Sequence, residues 1–107
     1  MARQSVKFAL DKKCIDPLIL DLRGISSVSD YFVICSGDSH RHVKALINVI
    51  EVEMKHIGIR PVRKEINSDY TWCILDYSDV LIHVFYHKTR EFYKLERLWS
   101  DAQEVAI

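Results

Sequence analysis

With 107 residues the chain suits one domain spanning 1–107 and has no room for a second core. Its 15 basic and 15 acidic side chains cancel, which argues against nucleic acid gripped through phosphates as the main contact and makes a protein surface the better expected partner. No apolar stretch approaches the ~20 residues that cross a bilayer, so no membrane role is expected.

Residues 2 to 13 carry Val6, Ala9 and Leu10 at helical spacing between charges, which predicts a short amphipathic helix. Asp16-Pro17 marks a break, because proline disfavours helical geometry in the residue before it. A first strand is expected from Leu18 to Leu22, ending at Arg23-Gly24. The unbroken apolar run Tyr31-Phe32-Val33-Ile34-Cys35 predicts a strand covered on both faces, near the middle of a sheet. Ser36-Gly37-Asp38-Ser39 closes it, with Asp38 or Ser39 placed to cap a helix. Val43, Leu46, Ile47, Ile50, Met54 and Ile57 then form one apolar stripe, stopped at Gly58.

Pro61 to Ile66 predict a third strand near an edge, where the proline and the charges Arg63, Lys64 and Glu65 are tolerated. The order strand, helix, strand implies a right-handed crossover and a parallel pair. Trp72 to Leu75 and Val80 to Tyr86, separated by Asp76-Tyr77-Ser78-Asp79, predict an antiparallel hairpin. From Arg90 onward, Phe92, Leu95, Trp99 and Ala102 recur at helical spacing, which predicts a closing helix packed on the sheet. The expected class is α/β (α+β): a mixed five-stranded sheet with helices chiefly on one face, leaving the second face for something else.

Residue chemistry supplies no active site, and no cofactor, metal or small-molecule substrate is expected. Ser36-Gly37-Asp38-Ser39 precedes a helix, where amides bind phosphate, but it lacks both glycine-rich phosphate motifs, and Asp38 would repel an anion. Asp76 and Asp79 fit an Asx-type turn better than a two-metal site. His40, His42, His56, His83 and His87 show no ligand spacing, and His83 reads as a satisfied, partly buried imidazole. Cys14, Cys35 and Cys73 are odd in number without C-x-x-C spacing, which fits free thiols in a reducing compartment. Met1-Ala2-Arg3-Gln4 lacks a secretory apolar core, so a cytoplasmic location is expected; an organellar chain without its transit segment would read the same way. Trp72, Tyr77, Tyr86, Tyr93 and Trp99 cluster with Asp76, Asp79, Lys94, Glu96 and Arg97, the makings of a protein interface. Trp99 is the ring best suited to the core, whereas Tyr77, in a turn, has little core to join.

Three segments resemble the ribosomal silencing factor (Iojap-like) family. These are Asp30-Tyr31-Phe32-Val33-Ile34-Cys35-Ser36-Gly37-Asp38-Ser39-His40-Arg41-His42-Val43, the stretch Trp72-Cys73-Ile74-Leu75-Asp76-Tyr77-Ser78-Asp79-Val80-Leu81-Ile82-His83-Val84-Phe85, and Arg90-Glu91-Phe92-Tyr93-Lys94-Leu95-Glu96-Arg97-Leu98-Trp99. The resemblance implies a nucleotidyltransferase-like fold without catalytic carboxylates, and a non-enzymatic protein. It further implies docking on the large ribosomal subunit through its protein numbered fourteen, which blocks joining of the small subunit and represses translation under nutrient limitation. Carried over by position, Trp72, Asp76, Tyr77 and Asp79 of the hairpin and Tyr93, Leu95, Glu96 and Trp99 of the closing helix are the expected ribosomal interface. A homodimer is a further expected partner state. The rival readings are a nucleotidyltransferase-like enzyme and a direct binder of ribosomal RNA or assembly factor using Arg60, Arg63 and Lys64. Two departures from the family pattern, Asn67 and Ser78, fall where glycine is usual and bear on the hairpin geometry.

Overall fold

The computed structural model describes all residues, Met1–Ile107. Helix α1 (Ala2–Asp11) leads into β1 (Ile15–Asp21) and β2 (Tyr31–Gly37), and α2 (His40–His56) connects to β3 (Arg63–Glu65). The hairpin strands β4 (Trp72–Asp76) and β5 (Val80–Tyr86) follow, then α3 (His87–Tyr93), a 3-10 helix at Leu95–Trp99 and β6 (Gln103–Val105). The sheet is mixed and has six strands, in the order β3-β4-β5-β2-β1-β6. The sixth strand corrects the expected five. It is three residues long and mostly exposed, so no apolar alternation announces it.

The central position expected for Tyr31–Cys35 holds, and every residue from Phe32 to Gly37 is buried. Its parallel partner is β5, paired in register from Tyr31↔Val80 to Gly37↔Tyr86, and not β3. The crossover from β2 through α2 instead lands on the sheet edge, and the β4–β5 hairpin folds back into the gap. Direction is conserved, since β3 and β5 both lie antiparallel to β4 and so run the same way. Adjacency, which the pattern of apolar residues does not encode, is what differs.

Nor does Asp16-Pro17 end the strand. β1 runs through it by means of a bulge: Ile15 pairs with Ser36 but Leu18 with Ile34, one extra residue on the β1 side. Asp16 takes a positive φ of 46° there. Beyond the bulge, Ile19 faces α1 and α2 while Leu18 and Leu20 face away.

Two cores result. Val6 and Ala9 of α1, and Val43, Leu46, Ile47, Ile50 and Met54 of α2, pack on Val33, Cys35, Cys73, Leu75, Ile82 and Val84. On the opposite face Leu20, Leu22, Phe32, Ile34, Leu81 and Phe85 are covered by Leu95, Trp99 and Ala102. The closing helix is shorter than its periodicity suggests: Lys94 adopts a left-handed φ of 52°, which stops α3 at Tyr93 and restarts the chain as a 3-10 turn. Phe92, expected on the packed stripe, is therefore turned outward and 80% exposed. No helix is long and apolar enough to cross a membrane.

Loop chemistry fixes the ends of these elements. Ser39 caps α2, its hydroxyl accepting the His42 N–H at 3.0 Å. His42 accepts the Asp38 N–H at Nδ1 (2.9 Å) and donates from Nε2 to the Lys12 carbonyl (2.7 Å), which ties the end of α1 to the start of α2. Asn67 does not itself take a left-handed conformation; Tyr70 does, with φ 53°. The Asn67 side chain closes that loop by accepting the Thr71 N–H (3.1 Å) and donating to its hydroxyl (2.6 Å).

At the hairpin Ser78 carries φ 72°. Asp76 Oδ1 accepts the Ser78 N–H at 2.8 Å, the expected Asx turn, and the Asp79 N–H returns to the Tyr77 carbonyl at 2.9 Å. An L side chain held left-handed costs ~1–2 kcal/mol, and glycine gives back part of that relief as chain entropy. Ser78→Gly is accordingly expected to stabilise the protein by about 1 kcal/mol, read as a higher urea midpoint with unchanged slope.

Candidate functional site

The second sheet face is only partly covered. Leu95 and Trp99 lie over its centre, with the Trp99 ring edge-on to Phe32 at 5.8 Å. Toward the β4 edge the cover thins, and an open cleft of about 700 Å³ is lined by Trp72, Ile74, Phe92, Tyr93, Lys88 and Glu65 among others. Trp72 is its floor. The indole stacks on Phe85 with ring centres 4.7 Å apart, and Tyr93 approaches from α3 at 5.2 Å. Phe92 crosses Tyr93 edge-on at 5.1 Å and projects into solvent. Leu98, in the 3-10 helix, is another exposed apolar side chain.

Trp72 is oriented by a single polar contact. Its Nε1–H donates to His83 Nδ1 at 3.1 Å, across the β4–β5 ladder. That bond requires the neutral imidazole with its proton on Nε2, because a charged ring would present a second donor to the indole. His83 is 4% exposed, packed against Phe32 at 4.6 Å, and its Nε2 has no partner. The reading of a satisfied imidazole is thus corrected: the ring is more buried than expected and only half satisfied. Burial alone pushes its pKa down to about 4.

The expected interface residues divide into groups. Trp72 and Tyr93 meet, as described. Asp76 ends β4, ~13 Å along the strand from Trp72 at the usual rise per residue, and Asp79 follows in the turn. Asp76 also faces Arg63 Nη2 at 3.8 Å. The Asp79 side chain is exposed, while its carbonyl accepts the N–H groups of Asp30 (3.1 Å) and Tyr31 (3.0 Å) and the Ser29 hydroxyl (3.0 Å).

Tyr77 departs from expectation. The turn does leave it a core to join, and its ring is 4% exposed in the cluster beneath α2, on the opposite side of the sheet from Trp72. Burial, with the Glu51 charge adding to it, raises its pKa to about 12, and its buried hydroxyl lacks a partner. Leu95 is buried under the sheet. Glu96 is half-buried, with Oε2 3.6 Å from Arg90 Nε. Arg90 in turn donates to the Asp16 carbonyl (2.7 Å) and the Ser36 hydroxyl (3.1 Å), pinning α3 to the strand ends. Sequence reasoning missed Phe92 and Leu98 as surface residues and the half-buried Ile74 as part of the cleft. Their apolar character reads as core, and nothing at Lys94 signals the break that exposes Phe92.

No three of the His, Cys, Asp and Glu side chains gather into a set that could hold a metal ion. What the face offers is aromatic area with polar edges.

His83 makes stability depend on pH with a definite sign. Its folded pKa lies below its unfolded value near 6.5, so below that pH the unfolded chain takes up a proton that the folded chain refuses. Stability contributed by the neutral ring is therefore whole above pH 6.5 and declines as pH falls toward 4, by ~3 kcal/mol at 1.36 kcal/mol per unit. Urea titrations between pH 7 and 4 should show this decline. His83→Gln, which keeps an acceptor for Trp72, should flatten it.

A family model described as "Ribosomal silencing factor during starvation" matches residues 1–107. The chain is 41% identical over 92 residues to the ribosomal silencing factor RsfS of Bacillus subtilis, covering 86% of this chain and 78% of that one. It is 37% identical over 75 residues to mouse "mitochondrial assembly of ribosomal large subunit protein 1", covering 67% of this chain and 33% of the relative. Among solved structures, a Bacillus halodurans protein superposes with a TM-score of 0.86 at 32% identity, over 98% of this chain and 95% of that one. A Chromobacterium violaceum protein gives 0.84 at 31% identity, over 100% and 92%. The full-length model match and the identity to named relatives agree with the three motif segments, and the chain belongs to the ribosomal silencing factor family.

Proposed function

We propose that this chain regulates translation by occupying a surface of the ribosome and catalyses no reaction. In this reading it docks on the large subunit through the protein numbered fourteen, blocks joining of the small subunit, and represses translation under nutrient limitation. The observation that carries it is the exposed aromatic layer of Phe92 and Tyr93 over Trp72, on a sheet face the chain leaves partly uncovered. Aromatic rings that are wide, rigid and partly wet are the residues that dominate protein–protein binding energy. The relatives' names support a ribosomal partner, and the mouse relative's name supports the large subunit.

The expected residues then take different parts. Trp72 and Tyr93 make contact, Trp99 borders the contact from over Phe32, and the carboxylates of Asp76 and Asp79 steer approach toward a basic ribosomal protein. Tyr77, Leu95 and Glu96 hold the hairpin and the C-terminal segment in place from within. We assign the fold to the nucleotidyltransferase-like group without its catalytic carboxylates. The Asp76 carboxylate, which accepts the Ser78 N–H and so closes the turn, supports a structural rather than a catalytic part for it. Location in the cytoplasm and a homodimer whose partner copy competes for the aromatic face complete the proposal.

Two measurements test it. Purified protein added to separated subunits should lower the light scattering of joined ribosomes in proportion to occupancy; joining undisturbed at saturation would defeat the steric reading. Trp72→Ala and Tyr93→Ala should each weaken binding to the large subunit, Trp72 by ~2 kcal/mol, a typical hot-spot loss. Tyr93 is exposed, so its variant reports on contact without unsettling the fold.

A further inference from the structure

Cys14 and Cys35 meet in the helix-covered core for a reason built into the backbone. In an unbroken ladder Cys14, an even-numbered position like Leu18 and Leu20, would face away from α1 and α2. The bulge between Ile15 and Leu18 adds one residue to the β1 side and reverses the parity of everything before it. Cys14 therefore joins Ile19 and Cys35 on the side of α1 and α2. The register Ile15↔Ser36 makes the two cysteines diagonal neighbours on adjacent antiparallel strands. Their thiols are close enough for each to shift the other's pKa.

The two are not equivalent. Cys35 is fully buried, whereas Cys14 is 9% exposed at the end of α1, where Lys13 turns left-handed with φ 60°. The Arg90 guanidinium is fixed beside both strands by the Asp16 carbonyl and the Ser36 hydroxyl. The Cys35 hydrogen bond, and then the Arg90 charge, hold the Cys14 thiol below its ordinary pKa against the cost of burial, while the same contact and burial push Cys35 up. The more exposed Cys14 is placed to meet an oxidant first, with the fully buried Cys35 behind it as the resolving thiol. Cys73 has no such neighbour: its thiol lies 3.6 Å from Asn67 Oδ1 and burial raises its pKa.

We propose that Cys14 and Cys35 form a reversible oxidation site, a dithiol that hydroperoxides convert to an intrachain disulfide. The Cys14 thiolate attacks one peroxide oxygen, the O–O bond breaks, and hydroxide leaves, giving a sulfenic acid at Cys14. The Cys35 sulfur then attacks the Cys14 sulfur, the S–O bond breaks, and water departs with the Cys35 proton. Two thiols lose two electrons in all, and one hydrogen peroxide becomes two waters. The bond would staple β1 to β2 across the segment that Arg90 also grips, on the side of the sheet away from Trp72.

The test is peroxide titration of the intact wild-type protein, followed by blocking of free thiols, trypsin digestion without reductant and mass spectrometry. The expected product is a linked pair of peptides, residues 14–23 joined to residues 24–41, with a mass two hydrogens below the sum and with Cys73 alkylated. Dithiothreitol should release it, and the oxidised protein should melt at a higher temperature than the reduced one. Cys73→Ser should yield the same linked pair. Cys35→Ala should leave a Cys14 sulfenic acid that dimedone traps. Sulfinic acid at Cys14 without the linked pair, a disulfide between two chains, or three thiols untouched by peroxide would each overturn the proposal.

Discussion

The parallel pairing of β2 with β5 is the constraint on which everything else rests. Seven consecutive register pairs join two strands whose side chains are buried above and below. Every backbone amide and carbonyl between them must find its partner in that ladder, since no water reaches it. Because both strands carry apolar residues on both sides, the sheet needs cover on two faces, and the rest of the chain is arranged to supply it.

The supply is unequal. Two amphipathic helices cover one face, and that side holds the larger core. The other receives a short helix, a left-handed step at Lys94 and a 3-10 turn, which cover Phe32 and Leu81 but stop short of β4. Trp72 sits at that boundary, packed on Phe85 inside and open toward Phe92 outside. Its orientation passes through His83 to the centre of the sheet, so the surface ring is held by a bond whose acceptor is buried. A surface ring anchored in this way has little freedom left to lose, which in the proposed docking favours tight association for a modest area.

What was legible in the sequence follows from what local pattern can encode. The α2 stripe from Val43 to Met54, the two-sided run Tyr31–Cys35 and the hairpin around Asp76–Asp79 were all readable, because periodicity and turn chemistry are local. The neighbour of β2 was not, since an edge strand and a central one can follow the same crossover. The bulge at Asp16 was mistaken for a break because proline signals interruption without saying which kind. Phe92 and Tyr77 were exchanged in role: the helix periodicity assigned Phe92 inward, and the turn assigned Tyr77 outward. Each was decided by a neighbouring left-handed residue: nothing at Lys94 signals it, and at Ser78 the one sign is that it stands where glycine is usual. Of the proposed interface, the aromatic and acidic composition was visible, and the meeting of Trp72 with Tyr93 was not.

The central ladder also carries a kinetic consequence. Tyr31 and Val80 are 49 positions apart (80 − 31), so closing the first rung between β2 and β5 restrains a long loop before any of the burial that rewards it. The β1–β2 hairpin forms locally, yet it remains an open edge until Val80–Tyr86 has been made and delivered. A nascent chain of this protein therefore leaves the tunnel with one edge of β2, a strand buried on both faces in the finished fold, still unpaired until the hairpin arrives.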